Sequence, residues 1–354
     1  MSEPVRPEML GSCPVPLAHP EQIVLGHGSG GKLTADLIHR FILPAFSNPY
    51  LDRLDDQAVV EISGARLAFT TDSFVITPIF FPGGDIGELA INGTVNDLAM
   101  SGARPLYLAA ALILEEGLAI QDLQRVLDSM RKAAQRANVL LVTGDTKVVN
   151  RGKGDQIFIT TTGIGVIEHA WNLSADRARA GDKVLLSGSI GDHGMAIMSQ
   201  REGLEFEGTI ESDTAALHGL VAAILAAAGD GVHVLRDPTR GGIGTTLNEI
   251  AARSQVGMAI EESTILVRHT VQGACEILGL DPLYVANEGK LLAIVSSEAA
   301  DAAVEAMHQH ELGREARIIG EVVAEHPRMV LMKTGIGGTR IVDTLYGEQL
   351  PRIC

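Results

Sequence analysis

Aromatic residues make up only 4% of this 354-residue chain. A core built on stacked rings is therefore excluded, and Val, Ile, Leu and Ala must supply the packing. Basic residues are scarce as well: 28 Lys and Arg face 44 Asp and Glu, a formal charge of −16. That balance argues against nucleic acid or an anionic membrane as partner, since both need basic patches. A polyanionic substrate would need a metal ion or a local cationic pocket. The chain has three cysteines, Cys13, Cys275 and Cys354, with no CxxC spacing, which leaves no zinc site or redox pair in view. So sparse and odd a count suits the reducing cytoplasm. No apolar run reaches the roughly 18 residues of a membrane span. The opening "MSEPVRPEML" lacks the apolar stretch of a secretory signal.

The remaining composition is that of a globular enzyme. The hydrophobic share is 46% and glycine contributes 39 residues, a pairing of aliphatic cores with glycine-rich loops. The length suits two domains of ordinary size. Residues 1–20 carry five prolines and read as an extended leader, poorly ordered. From 21 to 168, strands at 65–76, 106–114, 139–146 and 156–167 alternate with helices. One helix runs from an Asp85 N-cap to a stop at Gly102 and Pro105, and another covers 120–137. The polar, turn-rich stretch 169–182 marks a break. The α/β pattern then restarts over 169–332, with helices expected at 192–202, 213–229, 243–254 and 268–279. Residues 333–354 read as a tail. Its 22 residues would reach about 70 Å at full extension, and its last four are "PRIC".

Five segments carry chemistry-bearing residues. In "GHGSGGKLT", Gly26 and Gly31-Lys32 have the spacing of a phosphate-binding loop running into a helix N-terminus. Leu33, however, stands where such a loop needs Ser or Thr for magnesium. A glycine loop that touches phosphate fits, as does a plain flexible helix start. Acidic residues recur near strand ends and turns: Asp55, Asp56, Asp72, Asp97, Asp145 and Asp237. Each alone also suits a turn or cap. Asn92, Asn96 and Asp97 lie inside an otherwise apolar helix, where such residues form helix poorly. They read either as a solvated face or as a site. Several carboxylates in one pocket repel unless cations neutralise them, and hard oxygen donors beside a polyphosphate suggest Mg²⁺. Lys147, Arg151 and Lys153 follow Asp145, either to hold phosphates or as ordinary surface charge. Glu288 in "VANEGKLL" suits a general base if buried, or a turn carboxylate. Taken alone, the terminal Cys354 is a free thiol beside its own α-carboxylate, which raises a thiol's pKa.

Taken together, "TTDSFVITPIFFPGGDIGELAINGTVNDLAMSGARP", "VTGDTKVV", "LRDPTRGG", "NEGKL" and terminal "PRIC" resemble the HypE hydrogenase-maturation family from about residue 21 to 354. The "DD…TTD…ND…GDT" series is similar to a wider ATP-binding superfamily, which includes aminoimidazole ribonucleotide synthetase, thiamine-monophosphate kinase and selenophosphate synthetase. The resemblance implies two α/β domains, the N-terminal one pairing in a homodimer with ATP sites near that interface, plus a flexible C-terminal tail. It implies that Cys354 accepts a carbamoyl group from a HypF-type carbamoyltransferase. ATP then drives dehydration of that group to a thiocyanate, and the cyanide passes to iron held by a HypC–HypD complex. It further implies ATP contacts from Gly28, Gly30, Gly31, Lys32, Asn92 and Asn96, and Mg²⁺ ligands among Asp55, Asp72, Asp97, Asp145 and Asp237. Glu288 is the candidate base, and Lys147 orients or polarises the substrate. Gln57 departs from the family's pattern, where a small residue is common. A small-molecule kinase of the same superfamily would explain the aspartates but leave Cys354 idle. A non-catalytic scaffold would leave ATP unbound.

Overall fold

A computed structural model describes residues 22–204, 206, 208–345, 350, 353 and 354. The leader 1–20, with Cys13, lies outside the described residues, as do Pro351 and Arg352. The first helical stretch begins at α1 (Lys32–Leu37), continues through a π turn at Ile38–Ile42 and ends in α2 (Leu43–Phe46). In this stretch Leu33 is buried and Phe41 is 63% exposed.

The N-terminal domain follows. Its strands are β1 (Ala58–Ile62), β2 (Ala65–Phe74) and the short pair β3 (Phe80–Phe81) and β4 (Gly84–Asp85). Next come α3 (Ile86–Met100), β5 (Arg104–Glu115), α4 (Ile120–Arg136), β6 (Leu140–Val149) and β7 (Ile157–Ile167). Asp85 caps α3 as its spacing requires: its Oδ1 accepts from the Gly87 and Glu88 amides at 2.8 and 3.1 Å. The five-stranded sheet runs β1-β2-β7-β5-β6, antiparallel except for the parallel β5–β6 pair. One face of the sheet packs on α3. On the other, Phe69, Ile164, Tyr107 and Leu140 form one cross-strand row, and all four are exposed.

In the C-terminal domain the elements are β8 (Lys183–Leu186), α5 (Asp192–Glu202), α6 (His218–Ala228), β9 (Val232–Arg236), α7 (Gly242–Ser254), β10 (Gly257–Glu261) and α8 (His269–Leu278). They continue through β11 (Leu292–Val295), α9 (Ala300–Gln309), β12 (Arg317–Val323), β13 (Val330–Lys333) and β14 (Thr339–Val342). The seven strands run β14-β13-β10-β12-β8-β11-β9. Buried Val, Leu and Ile cover both faces of the sheet, as its near-continuous apolar strands require.

Two sequence expectations shift here. The helix expected from 213 begins at His218, because Asp213 is engaged elsewhere: its carboxylate accepts from the Glu288 amide at 3.0 Å and from Lys290 Nζ at 3.0 Å. Part of the stretch read as tail is β14, which pairs with β13 and extends the sheet. A separate apolar cluster joins the domains. In it Phe74, Ile76, Ile86 and Ile91 meet Met195, Val271, Val285, Leu350 and Ile353. Leu350, Ile353 and Cys354 thus sit in the seam between the domains. No described helix is long and apolar enough to cross a membrane.

Candidate active site at the domain seam

The Asn-Asp trio on α3 faces the C-terminal domain, not water. Asn92 and Asn96 are 2% and 1% exposed. Asn92 Nδ2 donates to Thr214 Oγ1 at 3.2 Å. Asn96 Nδ2 donates to the Ala215 and Glu288 carbonyls at 3.0 and 3.2 Å, while its Oδ1 accepts from the Leu217 amide at 2.8 Å. The solvated-face reading is therefore corrected: the second domain covers this helix, and its backbone supplies the hydrogen bonds that a buried amide needs. Both side chains clamp the domains together, and in this arrangement Asn96 is fully occupied by protein.

Asp97, one residue further on, accepts from Thr70 Oγ1 at 2.9 Å. Burial, with Asp237, Asp72 and Asp56 adding repulsion, holds its carboxyl well above the usual range. Asp72 lies on β2. Burial raises its pKa and Arg240 opposes the rise. Asp237 follows β9; burial outweighs Arg236 and pushes it up to about 6. Asp72, Asp97 and Asp237 thus feel one another. Asp55 does not face this group. It accepts from Ser174 Oγ at 3.0 Å and the Ala175 amide at 3.2 Å, tying the inter-domain stretch to the first domain. Neighbouring Asp56 faces inward instead. Its Oδ2 lies 2.8 Å from Arg236 Nε in an ion pair, and burial pushes it up to about 8.

Glu288 is 3% exposed, and its Oε1 has no hydrogen-bond partner among the described residues. Burial first, then Asp237, Asp213 and Asp72, hold its carboxyl well above the usual range, against Arg240. A buried carboxyl of this kind binds a proton more avidly than a solvated one, as a general base must. Its backbone is fixed by the Asp213–Lys290 pair, which is itself buried at 6% and 13% exposure. Burial would raise Asp213, but Lys290 and the Glu288 amide outweigh it and hold it low. Replacing Asp213 with Asn strands the Lys290 cation. Thermal denaturation is expected to show a loss of about 3 kcal/mol, and an unchanged midpoint would contradict this role.

Cys354 docks among these groups. Val75 N donates to its terminal oxygen at 2.8 Å, and Ile353 forms an antiparallel bridge with Ile76. Burial pushes the thiol up to about 12; Arg240 opposes, while Glu288 and Asp72 add to the rise. Burial, rather than the α-carboxylate the sequence pointed to, is therefore the leading cause. Sequence reasoning missed Arg240, though it sits in the same "RDPTRGG" turn as Asp237. Gly241 and Gly242, at φ of 79° and 58°, form the left-handed turn that follows it.

Arg240 also reaches the glycine loop, where its Nη1 donates to the Gly28 carbonyl at 3.0 Å. Gly30 (φ 79°) lies against it, and a Cβ there would stand 3.0 Å from the Arg240 carbonyl oxygen. Gly31 lies so close to the Leu345 carbonyl that a Cβ would meet it at 2.5 Å, and the Lys32 amide donates to that carbonyl at 2.9 Å. Lys32 Nζ pairs with Asp343 at 2.9 Å. The loop expected to touch phosphate is thus folded onto the chain's own C-terminal segment. Asp145 and Lys147 are not brought to this centre. They pair at 2.7 Å on the exposed edge strand β6, at 62% and 69% exposure, beside a groove of about 820 Å³ between α4 and β6.

Among the described residues, no three His, Cys, Asp or Glu side chains already converge as a metal site. The donor chemistry nevertheless fits Mg²⁺. Asp72, Asp97 and Asp237 are hard carboxylates that raise one another's pKa, a repulsion that a divalent cation relieves. Those three would hold it together with substrate phosphates.

A carboxylate-lined seam between two α/β domains defines a class. Residues 54–167 match the N-terminal domain of AIR synthase related proteins, and residues 179–331 match the C-terminal domain of that family. Within the class the assignment narrows. The carbamoyl dehydratase HypE of Azotobacter vinelandii is 60% identical over 93% of this chain and 96% of its own. A solved HypE–HypF complex matches with TM-score 0.83 and 48% identity, over 87% of this chain and 99% of that one. A HypE structure in complex with ATP matches with TM-score 0.79 and 50% identity, over 94% and 100%. The chain belongs to the HypE carbamoyl dehydratase family.

Proposed function

We propose that this chain is an ATP-dependent dehydratase acting on its own C-terminus. A carbamoyl group is carried as a thioester-like amide on Cys354 Sγ. Its carbonyl oxygen takes the γ-phosphoryl group of ATP, since hydroxide is too poor a leaving group. The nitrogen then loses two protons, the C–O bond breaks, and the oxygen departs in phosphate. The products are S–C≡N on Cys354, ADP and phosphate. The observation that carries this reading is that the C-terminus is bound at the seam, Val75 N donating to Cys354 O at 2.8 Å and Ile353 bridging Ile76, with Arg240, Glu288 and Asp72 near enough to act on the thiol's pKa. Glu288 takes one of the nitrogen's protons, and the departing phosphate carries away the other. Arg240, whose own pKa is raised chiefly by Cys354 and then by Asp72, neutralises charge between the arm and the glycine loop. Mg²⁺, held by Asp72, Asp97 and Asp237, would neutralise the phosphates. ATP hydrolysis assayed with and without a carbamoyl donor tests the reading: one ATP consumed per loaded chain supports it, and turnover indifferent to the donor overturns it.

The carbamoyl group comes from a HypF-type partner, and a HypC–HypD complex takes the cyanide to iron, both in the cytoplasm. The ATP-bound and HypF-bound relatives support the first two parts of this account, ATP use and the HypF-type donor. The chain works as a homodimer through the open face of the five-stranded sheet, because its exposed apolar row is what a partner sheet would cover. Asp145 and Lys147, on the edge of that sheet, act across this contact. Ile164→Glu puts a charge in the middle of the row and is expected to convert the dimer to monomer in sedimentation. A dimer retained at micromolar concentration would rule out this face.

A further inference from the structure

One buried polar side chain at the seam has no part in the reaction just described. His193, in the first turn of α5, is 0% exposed. Its Nε2 lies 2.5 Å from the Ile353 carbonyl, and its Nδ1 lies 2.7 Å from Ser212 Oγ. A carbonyl only accepts, so Nε2 carries the hydrogen, and in the neutral ring Nδ1 accepts from the serine hydroxyl. Burial lowers the imidazole's pKa and favours that neutral form. Ser212 and Phe81, which orient the ring from its other sides, lie outside the C-terminal arm. Ser212 is itself pinned, donating its amide to the Pro82 carbonyl at 2.8 Å. The Phe81 ring meets the imidazole edge-on at 5.6 Å. The ring is thus aimed by both domains, and its remaining donor points at the residue before Cys354.

The same turn of α5 makes room for the arm. Gly194 follows His193, and a Cβ there would stand 3.1 Å from Leu350 Cδ1 and 2.6 Å from Val285 Cγ1. Leu350 and Ile353 are both buried. On the far side, the hydrogen bonds that Ile76 and Val75 make to the arm are backbone pairing. Backbone pairing of that kind is indifferent to the arm's side chains, and His193 is the described side chain that hydrogen-bonds it.

We propose that His193 is the latch of the C-terminal arm: its Nε2–H grips the Ile353 carbonyl and so sets Cys354 against Glu288 and Arg240. It is a positioning residue and touches no reacting atom. A docked thiol pushed up to about 12 is almost wholly protonated at pH 8, so its alkylation reports the undocked fraction. Loading by a carbamoyl donor then belongs to the open latch and dehydration to the closed one.

The test is the iodoacetamide alkylation rate of Cys354, followed in the full chain by mass spectrometry of the C-terminal peptide. His193→Phe keeps the volume and removes the donor, and alkylation is expected to rise about tenfold, the factor for one lost buried hydrogen bond. His193→Gln places an amide N–H near the old Nε2 and is expected to stay within about threefold of the parent. An unchanged rate in His193→Phe overturns the latch, as does an equal rise in both variants. Should His193→Phe fail to fold, Ser212→Ala frees the ring from its orienting hydroxyl. A smaller rise is then expected, and no rise overturns the proposal. A second readout rests on the dehydratase reading: single-turnover water loss from chain already carbamoylated slows about tenfold in His193→Phe, while loading does not. Increased alkylation with no water loss even in the parent would support the latch and remove the dehydratase reading.

Discussion

Cys354→Ala is expected to abolish the ATP-dependent product and to leave ATP binding where it was. The effect is complete under the proposed function, in which the thiol carries the substrate: without sulfur no carbamoyl group would be attached. Cys275, another described cysteine, is buried in the core, and its thiol is pushed up to about 12. ATP binding persists because the groups proposed to hold the nucleotide and its cation lie on the two domains, while the contact of Cys354 to Val75 is made by backbone atoms that alanine keeps. Calorimetry with ATP and mass analysis after loading separate the two quantities. A variant that still forms thiocyanate would end the account, and one that no longer binds ATP would make Cys354 part of the nucleotide site.

Glu288→Gln carries the second large effect. The side chain keeps its size and its place, since the backbone is held by Asp213 and Asn96. What is lost is proton acceptance by a carboxyl held far above its ordinary range by burial and by the acidic neighbours Asp237 and Asp213. General-base removal costs about 10² to 10⁴ in rate, and a fall in that range is expected for water loss from pre-loaded chain. Loading of Cys354 by the carbamoyl donor should be unaffected, because under the proposed latch it belongs to the released arm. A loss of loading equal to the loss of dehydration would instead assign Glu288 to holding the arm.

The order of elements was legible because each has its own local signal. Asp85 capped α3 as its position promised, and β2, β5, β6 and β7 fell on the four stretches read as strands, while the short pair β3 and β4 was not foreseen. The site was legible only in part, for reasons of direction. Adjacent carboxylates point opposite ways on an extended chain, so "DD" could not reveal that Asp56 would face the cluster while Asp55 tied down Ser174. The Asn residues of α3 could be read either as a solvated face or as a site because their partners, Thr214 and the backbone at 215–217 and 288, lie more than a hundred residues away. Arg240 was within reach of sequence reasoning, since it shares a turn with Asp237. His193 carried no such mark: a lone histidine at a helix start acquires meaning only when the last two residues of the chain fold against it. Asp145 and Lys147 stand on an edge strand, where they pair with each other and Asp145 Oδ1 also accepts from the Thr146 amide at 2.8 Å.

The central claim is that the terminal cysteine carries the group that ATP dehydrates. Intact-mass analysis of the C-terminal peptide, after incubation with carbamoyl donor and with or without ATP, tests it most directly. The account predicts a carbamoyl adduct on Cys354 without ATP, and the same adduct less one water with ATP. An adduct that ATP leaves unchanged, or a water loss mapped to any residue other than Cys354, would contradict it.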